Sequence, residues 1–332
     1  MTVCAQGAGA LVRGRVIERA TGQPLEHAMV SLHPVGRQTF SNVEGQFGFA
    51  ALPPGTYRLR VARLGFTPRE LAVMLTAGAD PPVVQVELDR ASFSLAAVRV
   101  LAYPPCKRPG PPDARTSPDF AGIFEQVRQN AEQYRLLADS FPFGYRFERT
   151  RGERRADRTR LIERVDTQLV RSDHHGWSYR PGSVVARDAS GYIMQLPTLA
   201  DFASREFLRN HCFYYAGVDT SPGGRQVHVD FRAADRLRTP DVHGSVLLDA
   251  VSFQIRRAEL DLSIVPKPLR DVVGAHVTTT FREVSPAIVV FDEVRGTTVL
   301  RPSRAPGAFA ESFEEQRLLE FGWLRADPGR LP

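Results

Sequence analysis

The chain has 332 residues, 42% of them hydrophobic and 24% charged, an ordinary globular composition long enough for about two domains with separate cores. Its net charge of +6 rests almost wholly on arginine, with Lys107 and Lys267 the only lysines, and no zinc finger, helix-turn-helix or RNA-binding aromatic motif goes with it, so nucleic acid is excluded as the expected partner. No run approaches the ~20 apolar residues of a spanning helix, so no helical membrane span is expected.

The first ten residues are small and apolar and lack a charged n-region. Val3-Cys4-Ala5 before Gln6 resembles the small-x-small end of a secretory signal; the alternative for residues 1–10 is a disordered terminus. The residues before Cys4 do not make a lipobox. From Val12 to Phe66, short alternating runs (Val12, Gly14, Val16; Met29 to Leu32; Phe47, Phe49; Tyr57, Leu59, Val61) are separated by turns at Thr21–Pro24, Asn42–Gly45 and Pro53–Gly55. This is the pattern of a small antiparallel β-sandwich. Glu70–Leu75 and Val83–Leu88 read as two more strands, and Phe93–Ala102 as a last one.

These residues closely resemble the carboxypeptidase regulatory-like domain, a transthyretin-like β-sandwich. The resemblance lies in Gly14-x-Val16, Gly22-x-Pro24-Leu25, Ala28-x-Val30, Gly45-x-Phe47-x-Phe49, Leu52-Pro53-Pro54-Gly55-x-Tyr57 and Gly65-Phe66. It covers about a quarter of the chain. It implies a fold and a bacterial cell-envelope setting, periplasmic or peripherally associated with the outer membrane, and it implies no peptidase chemistry, because the module is non-catalytic where it occurs. The stretch from Phe93 is similar to the link that follows this module in TonB-dependent receptors, but the remaining chain is far too short for their barrel. The expected organisation is therefore a signal remnant or disordered segment at 1–10, the sandwich at 11–102 and a Pro-rich linker at 103–116. A helix-plus-antiparallel-sheet domain follows at 117–302, then a loosely attached tail at 303–332.

Ser117-Pro118 predicts a helix start, and Phe120, Ile123, Phe124, Val127, Tyr134 and Leu137 place one apolar face along about six turns. Tyr145–Thr150 and Leu161–Val170 predict a hairpin around the basic run Arg151–Arg158, read as a solvated tip in preference to a lipid-phosphate contact. A short amphipathic helix is expected at Thr198–Leu208. Strands follow at Gln226–Arg232, Asp241–Asp249, Phe253–Ile264, Ala275–Val284 and Ile288–Val299, a long antiparallel meander with helices on one side. Glu311–Phe321 reads as a helix in the tail. With His211-Cys212-Phe213 and Gly244-x-x-x-Leu248-Asp249, the second part is similar to envelope proteins that carry the regulatory-like module. More distantly, its curved sheet is similar to the half-barrel of periplasmic lipoprotein carriers. The fold class is thus mostly β, a sandwich followed by a half-barrel-like α+β domain.

Catalytic signatures are missing from the sequence. No histidine starts an H-x-x-E or H-E-x-x-H pattern, and there is no G-x-S-x-G, S-x-x-K or phosphate-binding loop. Adjacent His174 and His175 point apart on an extended chain. His228 and Asp230 share a strand face but lack a third ligand, and His211 and Cys212 face opposite sides of a strand. Asp249, Glu259 and Asp261 lie on strands without an assigned partner. No catalytic, cofactor or metal residue is assigned. With Cys4 lost in processing, Cys106 and Cys212 remain, either as a disulfide suited to an oxidising compartment or as two buried thiols.

Two functional readings follow. In one, the chain is a non-catalytic exported envelope protein that binds an envelope protein, glycan or lipid partner as a scaffold. In the other it is a periplasmic lipid or lipoprotein carrier with an apolar cavity in its curved sheet. A hydrolase with an unrecognised site is the third alternative. The carrier predicts a concave apolar face left unfilled, and the scaffold predicts that face closed by the Phe120–Leu137 helix.

Overall fold

The computed structural model describes residues 10–76, 78, 80, 82–93, 104–173, 177–188, 191–221, 224–285, 288–303 and 308–324. They fall into two compact units, one ending at Ser92 and the other running from Phe93. The strand expected over 93–102 lies, but for Phe93, outside the described residues, as does the N-terminal segment before residue 10.

The first unit is built from β1 (Ala10–Glu18), β2 (Met29–His33), β3 (Arg37–Phe40), β4 (Gln46–Leu52), β5 (Gly55–Ala62), β6 (Arg69–Leu75) and β7 (Val83–Leu88). They form two sheets, β4-β1-β7 and β3-β2-β5-β6, whose inward residues Val12, Val16, Leu32, Phe49, Leu59, Val61 and Val86 make one core. The expected all-antiparallel pairing is corrected at one place. The chain crosses between sheets from β6 to β7, so β7 arrives beside β1 running in the same direction.

The turn motifs each have a structural cause. The Asn42 carboxamide oxygen accepts from the Glu44 and Gln46 amides at 3.1 and 2.8 Å, and Gly45 closes that turn at φ +76°. The Tyr57 hydroxyl donates to the Pro53 carbonyl at 2.7 Å, pinning the Pro-Pro-Gly turn to the strand it starts. A Cβ on Gly14 would drive into the Phe47 ring and the Val84 carbonyl.

The second unit contains α1 (Pro118–Ser140), β8 (Phe143–Arg155), β9 (Arg160–Arg171), β10 (Val185–Asp188), β11 (Gly191–Met194), α2 (Arg205–Asn210), β12 (His211–Ser221), β13 (Gly224–Ala233), β14 (Val242–Asp249), β15 (Ile255–Leu262), β16 (Val272–Ser285), β17 (Ile288–Leu300) and β18 (Phe309–Trp323). Nine strands form one open antiparallel sheet in the order β12-β13-β14-β15-β16-β17-β18-β8-β9, and β10 and β11 form a separate hairpin.

Two local expectations are corrected here. Thr198–Leu208 is two pieces, a 3-10 turn over Leu199–Ala203 and α2, broken at Ser204, whose side chain accepts from the Phe207 amide to restart the helix. The helix start expected at Ser117-Pro118 is found there, with Ser117 at the N-cap position but without a side-chain cap bond. Glu311–Phe321 is not a helix in a loose tail: it belongs to β18, paired between β17 and β8.

The inner face of the sheet changes character from edge to edge. One rung runs from Tyr215, Val229 and Val246 through Ala258, Thr279 and Val294 to Gln316, Arg149 and Asp166. Side chains on one rung point to the same side, so along this rung the face is apolar at β12–β15 and polar at β18–β9, while nearer the start of β8 it is aromatic again, with Phe143, Tyr145 and Phe321.

Candidate functional site

The apolar part of the inner face is closed by α1. Ile123, Phe124, Val127 and Leu137 are buried; the Phe124 ring lies 4.5 Å from Phe213, and Tyr134 meets Phe143 edge-on at 5.9 Å. Burial pushes the Tyr145 phenol, beside this aromatic group, up to about 12. The helix also carries a buried amide stripe, Gln126, Gln129, Asn130 and Gln133, which a count of apolar positions overlooks. Its sequence signal was four uncharged amides at helical spacing. Asn130 is the anchor. Its Nδ2 donates to the carbonyls of Gln126 and Phe253, both at 2.8 Å, and its Oδ1 accepts from the Ile255 amide at 2.9 Å. One side chain therefore ties the helix to the β14–β15 turn. Gln129, equally buried, has neither side-chain polar atom paired among the described residues.

His211 is also interior. Its ring nitrogens lie 2.9 Å from the Phe207 carbonyl and 3.0 Å from the Val242 carbonyl, with Asp241 Oδ1 3.4 Å from Nε2. Asp241 is fully buried, and it accepts from the Tyr179 hydroxyl and the Val242 amide, each at 2.8 Å. Burial first, then the Asp241 carboxylate, hold the Tyr179 phenol far above its ordinary range. These polar atoms are spent on joining α2, β12 and β14, so the cluster is a structural knot with no room for substrate. Neighbouring Cys212 is disulfide-bonded to Cys106, with Cα atoms 5.6 Å apart.

The polar part of the face lies under the β10–β11 hairpin. A pocket of about 350 Å³ opens there, with Tyr192, Ile193 and Met194 on the hairpin side and Val277, Val294, Gln316 and the Arg151–Glu314 pair on the sheet side. Arg151 Nε is 2.7 Å from Glu314 Oε2, and Arg149 grips Asp166 through two hydrogen bonds of 3.1 Å. The basic run expected at a hairpin tip is thus largely strand. Its arginines pair across the ladder, Arg154 with Glu311 at 2.6 Å and nearby Arg160 with Glu315 at 2.7 Å.

The remaining candidates separate. Asp249 accepts from the Val251 and Ser252 amides and a Cβ on Gly244 would strike the Glu259 carbonyl, so the Gly244–Asp249 motif is a close-packed strand ending in a turn. Glu259 pairs with Arg257 at 2.6 Å. Asp261, His276 and Thr278 line up, Nδ1 to Oδ1 at 2.9 Å and Nε2 to Oγ1 at 3.1 Å. That order resembles an acid–base–hydroxyl relay. It sits mid-strand, where the backbone amides are committed to the ladders with β15 and β17, leaving no donors aimed at a developing oxyanion. His228 and Asp230 share the outer face of β13. Asp230 accepts from Ser245 at 2.6 Å and burial raises its carboxyl, whereas burial lowers His228. Among the described residues no group of three or more His, Cys, Asp or Glu is placed to hold a metal. His174 and His175 lie outside the described residues.

The two-sheet core, the Asn42 turn and the Tyr57 anchor coincide with a family match: the model of the carboxypeptidase regulatory-like domain aligns with residues 11–89. This segment is a carboxypeptidase regulatory-like domain. The regulatory-like domain accounts for the first unit. No curated protein matches the chain. Among solved structures, the group B streptococcus pilus 2b backbone protein aligns at 17% identity and TM-score 0.22, over 25% of this chain and 42% of that one. The chain thus spans less than half the length of that protein. A DUF1329 family protein from Desulfovibrio piger aligns at 10% identity and TM-score 0.33, over 61% of this chain and 93% of that one. A putative outer membrane lipoprotein-sorting protein domain from Vibrio parahaemolyticus aligns at 12% identity and TM-score 0.32, over 60% and 93%. Scores this low leave function to the residues.

Proposed function

We propose that this chain is a non-catalytic, exported protein of the bacterial cell envelope, with the nine-stranded unit serving as a binding scaffold. The observation that carries this reading is the seating of α1. Phe124 on Phe213 and the Asn130 clamp on Phe253 and Ile255 fill the part of the sheet that an acyl chain would need. The open volume that remains is edged by ion pairs, which disfavours an apolar cargo because buried charges must stay paired and solvated. Export is supported by the regulatory-like domain and by the Cys106–Cys212 disulfide, a bond that persists in oxidising compartments.

A second reading, carriage of a small amphipathic ligand, draws on the pocket under β10–β11, whose about 350 Å³ falls within the range of ligand sites. Native mass spectrometry of protein released gently from the periplasm tests both. A bare chain is expected. A co-purifying lipid mass would overturn the scaffold reading, and a smaller polar adduct lost on Tyr192→Ala would move the function to the pocket.

A further inference from the structure

The two edges of the nine-stranded sheet are treated differently. At β12 the segment 104–112 covers the edge: Cys106 is bonded to Cys212, the Gly110 amide donates to the His211 carbonyl at 2.9 Å, and the Tyr214 hydroxyl donates to the Pro104 carbonyl at 3.1 Å. At β9, twelve residues long, no strand other than β8 pairs with it among the described residues. The strand is exposed along most of its length, and it shows large aliphatic side chains: Val165 is 55% and Leu169 72% accessible. A long open edge with apolar side chains is a template for another strand, which folds ordinarily blunt or cover.

The sequence of β9 says which strand fits. The bulge at Arg151/Gly152 leaves Glu163 unpaired with β8, so the regular part of the edge is Arg164–Val170. Set antiparallel against its own copy about Thr167, this segment places Val165 opposite Leu169, Asp166 opposite Gln168 and Arg164 opposite Val170. No like charges meet within this stretch. Within each copy Asp166 is already neutralised by Arg149 and Arg164. Slipping the register by one residue at each strand, to an axis on Asp166, would put two carboxylates face to face. The two Val165–Leu169 apolar pairs favour the first register, and like charges disfavour the second.

We propose that β9 is the docking surface for β9 of a second copy of this chain, the two sheets continuing edge to edge about an axis at Thr167. The interface is isologous, so the dimer closes on itself without further growth. It stands apart from the ligand question above, and its test reads assembly, not cargo.

The experiment is sedimentation velocity of the full chain over a wide concentration range, with a cross-linking arm. A reversible monomer–dimer equilibrium is expected, and Val165→Lys with Leu169→Lys, which sets lysine against lysine, weakens it by at least about tenfold. Both side chains are exposed, so tryptophan fluorescence and circular dichroism of that variant stay unchanged. In a Cys4→Ser background, Thr167→Cys is expected to form a disulfide-linked dimer under mild oxidation, because directly opposed Cβ atoms lie about 5 Å apart. Monomer at every concentration overturns the proposal and leaves the edge to a strand of another protein. Dimerisation that the lysine variant does not weaken, or that leaves Thr167→Cys uncross-linked, overturns it equally.

Discussion

Replacing Asn130 by alanine tests whether α1 is fastened to the sheet or merely lies on it. The side chain satisfies two backbone groups of the β14–β15 turn, the Phe253 carbonyl and the Ile255 amide, in a place where Asn130 is only 3% exposed. Truncation strands both, at about 1–3 kcal/mol each, and vacates the amide's volume, so Asn130→Ala is expected to destabilise the second unit by about 3 kcal/mol. Both tryptophans, Trp177 and Trp323, lie in that unit, so urea unfolding followed by tryptophan fluorescence reports it selectively. With a slope of about 3 kcal/mol per molar for a unit this size, the midpoint falls by about 1 M. Asn130→Asp is the informative companion. Its carboxylate still accepts from Ile255 but faces the Phe253 and Gln126 carbonyls, so it is destabilised at neutral pH and recovers once acid protonates it. Midpoints within a few tenths of a molar of the parent for both variants would refute the clamp.

Further outcomes follow from neighbouring observations. Gln129 is buried with its amide unpaired among the described residues, so Gln129→Met is expected to stabilise the unit by about 1 kcal/mol and raise the same midpoint by about 0.3 M; a loss would show that the amide is satisfied in solution. Cys106→Ser with Cys212→Ser opens a link spanning 106 residues of sequence and is expected to cost about 3 kcal/mol, checked by comparing oxidised, reduced and substituted protein. The Glu18 carboxyl is held below its usual range, first by Arg90 and then by the Thr21 hydroxyl. A depressed carboxylate stabilises above its unfolded value near about 4.3 and loses that contribution as pH falls through the folded one. Glu18→Gln should therefore weaken the regulatory-like domain by about 1 kcal/mol at pH 7, and the gap should vanish in acid, read by hydrogen exchange of β1 amides. His228 is lowered by burial, so the unfolded chain takes up its proton first and stability drops as pH falls below about 6.5. His228→Gln should flatten that slope between pH 7 and 5, and parallel urea profiles would refute it.

The regulatory-like domain was legible because its turns are written in residues with one job each: Asn42, Gly45, Pro53 and Tyr57 fix local geometry that neighbours in sequence can specify. The apolar face of α1 was legible for the same reason. Its amide stripe was not, since Asn130 acquires its role only from Phe253 and Ile255, more than a hundred residues away. The two clearest misreadings have a common origin. Glu311–Phe321 has the composition of a helix, rich in Glu, Gln, Arg and Leu, and Arg151–Arg158 looks like a solvated loop. Each is half of one ladder, in which Glu311 and Glu314 meet Arg154 and Arg151. Charge complementarity between distant strands overrode local propensity, and no window along the chain contains both partners. The pocket under β10–β11 was likewise invisible, because the sheet residues that line it come from β16, β17, β18, β8 and β9.

The order of strands has a bearing on how the chain is made. β18 is the last of the described strands in sequence yet sits third from one edge, with β17 on one side and the β8–β9 hairpin on the other. During synthesis that hairpin must wait for about 150 further residues before the strand that joins it to the sheet emerges, a long-range closure of the kind that slows folding. A chain cut short before Phe309 would lose the seam of the sheet, not its fringe. It would expose a flank of β17 and another of β8 at once, two adhesive surfaces on an unfinished molecule. Such a chain is a natural client for holding chaperones and proteases, and arrival of β18 releases it from their attention.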